Sequence, residues 1–190
     1  MSGVIHELRA VMPARPLNYV EALRVAELQA NRLLAAMGIH EPAVPESIIT
    51  DLPRVQVEYL PSAPLSGVTG WLKGRYLIAL DAGEPHVRQR FSLAHEFKHV
   101  LDRPLIGVLY PGQFGMNASA RAEQVCDYFA GCVLMPRMWL KRAWTTETQD
   151  VRLLAERFEV SPTAMRVRLQ QVGLVDARQR CGVPALAAGT

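Results

Sequence analysis

Two histidines one helical turn apart, with a glutamate directly after the first, constrain this chain more than any other feature. The stretch reads His95-Glu96-Phe97-Lys98-His99. On a helix, His95 and His99 lie ~40° apart around the axis and about 6 Å along it, so both imidazoles can face one ion. Glu96 projects ~100° round from His95, beside such an ion, where a carboxylate can hold a water molecule and take its proton. The competing reading is a solvated helix face that happens to carry these groups. Against it stand Phe91, Ala94, Phe97, Val100 and Leu101, which mark Glu84 to Asp102 as a largely buried helix, where unpaired polar side chains are costly.

A catalytic zinc takes three protein ligands and keeps a fourth position open. Asp102, three residues past His99, is one candidate for the third if it bends back. The next predicted helix, Ala118 to Met135, offers Glu123 and Asp127, spaced i, i+4 and opposite its apolar side of Val125, Phe129, Val133 and Leu134. One or both can face the ion, and an exposed helix charge is the alternative for either.

The chain has 190 residues, enough for one globular domain and a small appendage. A domain of this size buries about 70% of the surface its unfolded chain exposes. Its core therefore needs no structural metal, and a metal found here serves chemistry. Three cysteines, an odd number, argue against a secreted disulfide framework. Cys126 and Cys132 fall on one helix about 9 Å apart along its axis and on different faces, too far to pair. No apolar run is long enough for a membrane span, and the first residues lack the apolar segment of a signal peptide. A cytoplasmic protein is expected. The net charge is only +3, but residues 1–136 carry 12 basic and 13 acidic side chains and residues 137–190 carry 9 and 5. That imbalance permits a basic C-terminal contact surface.

Residues 1–16, with Pro13 and Pro16, read as a flexible lead-in. Leu17 to Met37 has helical apolar spacing and Gly38 as a stop. Ser47 to Leu52 reads as a short helical turn. Val55 to Leu60, Gly67 to Leu72 and Tyr76 to Leu80 read as three short strands, the last two a hairpin across Lys73-Gly74. Such a sheet needs a helix against one face, and Glu84 to Asp102 supplies it.

These residues resemble a family, the zincin-like ImmA/IrrE-type metallo-endopeptidases found with phage and mobile-element regulators. The resemblance lies in Arg88-Gln-Arg-Phe91-Ser-Leu-Ala94-His95-Glu96-Phe-Lys-His99, then Glu123-Gln-Val-Cys126-Asp127-Tyr-Phe129-Ala130, closing on Leu134-Met135-Pro136, and covers roughly residues 17–174. It implies an α+β, zincin-like fold: a small three-stranded antiparallel sheet packed on the His-Glu-x-x-His helix and on a second ligand-bearing helix, with a C-terminal helical pair. The implied domains are a metallopeptidase core over 17–136, a helical, helix-turn-helix-like extension over 137–174 and a flexible tail over 175–190. The resemblance makes His95, His99 and Glu123 ligands of a Zn2+ ion and Glu96 the catalytic base. Asp127 takes the place of the family's asparagine and is expected to hydrogen-bond a ligand imidazole. Lys98 replaces a glycine, placing a cation on a flank of the ligand face, where it touches substrate or reaches solvent. Cys126 replaces a small alanine and is either a packed side chain or a rival ligand. Tyr110, Tyr128 and Lys98 are candidates for an added oxyanion donor, with nothing to select among them. By the same resemblance a peptide substrate adds as a strand along an exposed sheet edge, for which Gly67 to Leu72 is the expected strand, Gly67 and Gly70 either permitting close approach or only kinking an ordinary strand.

Asp150 to Phe158 and Ser161 to Val172 read as two short helices across a tight turn, with Ser161 as N-cap and Pro162 after it. Arg166 and Arg168 would let the second approach nucleic acid, whereas a substrate-docking or packing role is favoured. The leading expectation is a zinc-dependent endopeptidase of narrow specificity acting on a co-encoded repressor- or antitoxin-like regulator. The alternatives are a DNA-associated regulator or toxin-module component with a non-catalytic metal site, and a metal-dependent hydrolase of a non-peptide substrate.

Overall fold

Three strands, β1 (Val55–Leu60), β2 (Gly67–Leu72) and β3 (Arg75–Asp81), form one sheet in the order β1-β3-β2. They belong to a computed structural model that describes residues 3–61, 66–111 and 117–175. The turn between β2 and β3 has positive φ at both Lys73 (47°) and Gly74 (83°), the twist a two-residue antiparallel hairpin requires. The expected antiparallel pairing holds for β2 with β3 but not for β1, which pairs with β3 in parallel, from Val55 opposite Tyr76 to Leu60 opposite Asp81. The cause lies in β3, whose Tyr76, Ile78, Ala79 and Leu80 are all buried. Such a nearly continuous apolar strand belongs in the centre of a sheet, so β1 takes its far side, and among the described residues β2 keeps a free edge.

Helix α4 (His86–Asp102) lies against this sheet, burying Leu93, Ala94, Phe97, Val100 and Leu101. Behind it stands α6 (Ala118–Leu134), capped by Asn117, whose side chain accepts from the Ala120 N–H at 2.6 Å. The Phe97 and Phe129 rings meet between the two at 6.4 Å. Helix α2 (Tyr19–Ala36) opens with a capping box between Asn18 and Glu21. Its buried Ala22, Ala26 and Ala30 make a smooth stripe that lets α6 pack closely. The α+β class and the sheet-on-helix arrangement are as the sequence implies.

The lead-in is not a loose segment. Val4–Arg9 forms α1, with Leu8 buried and the Arg9 guanidinium donating to the Val100 and Leu101 carbonyls and to the Tyr76 hydroxyl. A cation there satisfies carbonyls that the C-terminal turn of α4 leaves open. Two further short helices, α3 (Ser47–Thr50) and α5 (Ile106–Leu109), complete this half.

The C-terminal segment holds α7 (Arg137–Thr146), α8 (Val151–Phe158) and α9 (Pro162–Gln171), the last capped by Ser161 as expected. No seam in packing marks residue 136: Leu154, Phe158, Met165 and Leu169 belong to the same apolar core as Phe129 and Leu140. Arg90, itself buried, ties the two parts together by donating to the Val44 carbonyl and pairing with Glu159 at 3.0 Å. Residues 176–190, nearly all of the expected tail, lie outside the described residues. Among the described residues no helix is long and apolar enough to cross a membrane.

Candidate metal centre

Both histidines of α4 turn their Nε2 atoms to the same point, 3.2 Å apart, and α6 brings a carboxylate to it. Glu123 places Oε2 at 3.1 Å from His95 Nε2 and Oε1 at 3.2 Å from His99 Nε2. At most one proton can lie between the two nitrogens, so several lone pairs converge with little to separate them. A dication resolves that repulsion, and the spacing suits one: ligand atoms at ~2.0–2.1 Å from a tetrahedral zinc lie roughly 3.3–3.4 Å from one another. Asp127, one turn beyond Glu123, sits 2.9 Å from His95 Nδ1. With that nitrogen donating to Asp127, the lone pair of His95 is on Nε2, facing His99 and Glu123.

The field at this point is negative. Burial opposes charge on both rings, but at His95 the hydrogen bond and charge of Asp127, with Glu96 and Glu123, outweigh it and raise the pKa above the usual histidine value. At His99 burial prevails, and the pKa falls.

Glu96 is 8% exposed and lies against the start of β2. A Cβ on Gly67 would meet Glu96 Cγ at 2.7 Å and Oε1 at 3.0 Å, so the missing side chain makes room for this carboxylate. Burial, reinforced by the Glu123 charge and opposed by His95, raises the Glu96 pKa above the ordinary carboxylate range. Gly70, by contrast, has open space around it. A cleft of ≈ 540 Å³ runs over these groups, walled on one side by Gly67, Val68 and Thr69 of the free β2 edge and on the other by Glu123 and Asp127. Arg88 also lines it, half-exposed and near Ser66 and Glu84. It belongs to the quoted motif, yet no spacing argument singles it out for the cleft.

Other candidates point elsewhere. Asp102 does not bend back to the histidines; it is fully buried, accepting from Lys98 Nζ and from the Tyr110 hydroxyl. Lys98 therefore reaches neither substrate nor solvent, because its i, i+4 partner lies on the inner face of α4. Tyr110 is spent on the same carboxylate, and Tyr128 meets Glu27 and the Arg168 guanidinium. None of the three lines the cleft as an oxyanion donor. Cys126 is different. Its Sγ and one ring nitrogen from each histidine lie within 4.8 Å of one another, so a His95-His99-Cys126 set is also geometrically open. The thiol is wholly buried, and burial together with the charge of Asp102 pushes its pKa well above the usual value.

Comparison with known proteins fits this geometry. A peptidase family model described as the IrrE N-terminal-like domain matches residues 53–170. The radiation response metalloprotease IrrE of Deinococcus radiodurans is 26% identical over 156 residues, which cover 76% of this chain and 45% of that protein. Its counterpart in Deinococcus deserti is 27% identical over 150 residues, covering 75% and 53%. The chain thus spans about half the length of these curated relatives. A solved structure described as a Mycobacterium tuberculosis transcriptional regulator shares the fold, with a TM-score of 0.63 at 18% identity over 92% of this chain and 53% of that one. The matched stretch runs from the sheet to the end of α9 and holds every residue converging on the site, so the chain belongs to the IrrE N-terminal-like family of metallopeptidases.

Proposed function

We propose that this protein is a zinc-dependent endopeptidase of narrow specificity that cleaves a regulatory protein partner in the cytoplasm. The observation that carries the reading is the convergence of His95 Nε2, His99 Nε2 and the Glu123 carboxylate within 3.1–3.2 Å, with Glu96 held beside them. His95, His99 and Glu123 would hold the ion, which supplies Lewis acidity toward a scissile carbonyl and toward water. Asp127 orients His95. Glu96 would take a proton from the attacking water on its carboxylate and return it to the leaving amine. The free edge of β2 offers backbone groups to an extended peptide and so aligns it over the cleft. The buried, free thiols of Cys126 and Cys132 accord with a reducing compartment.

The DNA-reading alternative draws less support from α9. Arg168 is 1% exposed and donates to the Met135 carbonyl, so it is not available to a phosphate. The non-catalytic alternative leaves Glu96 without a use, since a structural site needs no base beside the metal.

Incubating the zinc-loaded protein with an unstructured peptide library and reading new termini by mass spectrometry tests the proposal. Cleavage is expected to stop with a chelator and return with zinc. A protein that retains about one zinc per chain and releases no new termini would sink the peptidase reading. Gly67→Ala is expected to slow cleavage on the order of tenfold, because the added methyl displaces Glu96 from its place. Its metal content should match the parent's.

A further inference from the structure

A second space, of ≈ 330 Å³, opens off the cleft between α4, α6 and the α8–α9 turn. Its lining is apolar at Val87 and Phe91 from α4, Met135 at the end of α6, and Val160, Ala164 and Val167 from the C-terminal pair, with Ser161 and Thr163 adding hydroxyls at the α8–α9 turn. Phe91, Arg88 and Asp127 line both spaces, so the pocket meets the metal centre across a shared rim. Its floor is rigid. Arg168 lies there with Nε bonded to the Met135 carbonyl, Nη1 to Gln171 Oε1 and Glu27 at 3.9 Å from Nη2, while Tyr128 stacks on the guanidinium.

We infer that this pocket receives the apolar side chain of a substrate residue flanking the scissile bond, which makes α8–α9 a determinant of selectivity. The inference rests on the peptidase reading. An extended peptide on the β2 edge sends alternate side chains to opposite sides, and those turned toward α4 meet the Arg88–Phe91 rim. The pocket is at the small end of ligand sites: it suits one leucine- or phenylalanine-sized group, whereas a helix about 10 Å across would not enter. An acidic side chain would meet the Asp127 carboxylate at the rim, and Glu27 already lies 3.9 Å from Arg168 Nη2. A basic one would meet the cations of Arg88 at the rim and Arg168 in the floor.

Binding and turnover test this separately. In NMR titrations of the Glu96→Gln protein, an acetyl-Gly-Leu-Gly amide is expected to shift the amides of Val160, Ser161, Ala164 and Val167, and the Asp analogue to leave them in place. Ala164→Phe, which fills the pocket, should abolish the leucine-dependent shifts. In turnover it should move the preference for leucine over alanine beside the cleaved bond toward alanine by about tenfold. Should Ala164→Phe fail to fold, Val167→Ala widens the pocket from a partly exposed position and should move the preference toward phenylalanine. Equal shifts from the leucine and aspartate peptides, or none, would overturn the subsite even if the protein cleaves. Leucine-specific shifts without any cleavage would retain the pocket and remove the peptidase.

Discussion

Replacing Glu96 by Gln is expected to lower peptide hydrolysis by about two to four orders of magnitude while leaving the bound metal in place. The substitution keeps the size of the side chain and its place against Gly67, and removes only the ability to accept a proton. Glu96 is not among the atoms that converge between His95 and His99, so metal stoichiometry should stay at the parent value. Stability should not fall either. Burial already disfavours the ionised Glu96 carboxylate, as its raised pKa shows, and a neutral amide avoids that cost. A base that is uncomfortable in the folded state yet kept there is the usual compromise of an active site between stability and activity. The measurement is kcat/KM on a cleaved peptide alongside zinc content and Tm. Loss of activity together with loss of zinc would shift Glu96 from base to ligand, and activity within tenfold of the parent would remove it from the chemistry.

Elements with strong periodicity or punctuation were readable in advance. The long helices α2, α4 and α6 carry apolar residues at helical spacing, the hairpin is announced by Lys73-Gly74, and Ser161-Pro162 marks the start of α9. Partnership was harder to read. Alternation in Val55 to Leu60 says that one face is buried, but not that its neighbour is β3 or that the pair is parallel. Helix α1 has six residues, too few to show a period, and its place depends on Arg9 finding carbonyls about ninety residues away. Charged residues misled for a related reason. Lys98 and Arg168 look like surface groups, and each is buried because a specific partner, Asp102 in one case and the Met135 carbonyl in the other, satisfies it. At the site, spacing alone brings His95 and His99 together; that Glu123 faces them, with Asp127 behind His95, depends on how α6 packs on α4.

That packing leaves two side chains of α6 competing for one role, and a pair of substitutions separates them. Glu123→Ala is expected to weaken zinc binding by more than about 100-fold, beyond the loss typical of groups that only support a ligand. Cys126→Ala should keep about one zinc per chain. Both Glu123 oxygens sit 3.1–3.2 Å from a ring nitrogen, and its side chain is 52% exposed. Cys126 must first lose a proton to serve, and it would do so wholly buried beside Asp102, with Glu123 and Glu96 adding to the unfavourable field. The same exposure means that Glu123→Ala should leave the Tm of the metal-free protein nearly unchanged, so metal loss cannot be ascribed to unfolding. Cys126→Ala opens a small cavity and should cost about 1 kcal/mol. Cobalt in place of zinc gives a second reading, since a thiolate ligand adds a charge-transfer band that carboxylate and imidazole lack. Zinc retained in Glu123→Ala but lost in Cys126→Ala, with that band present in the parent, would transfer the third position to sulfur and leave Glu123 as a neighbour of the histidines only.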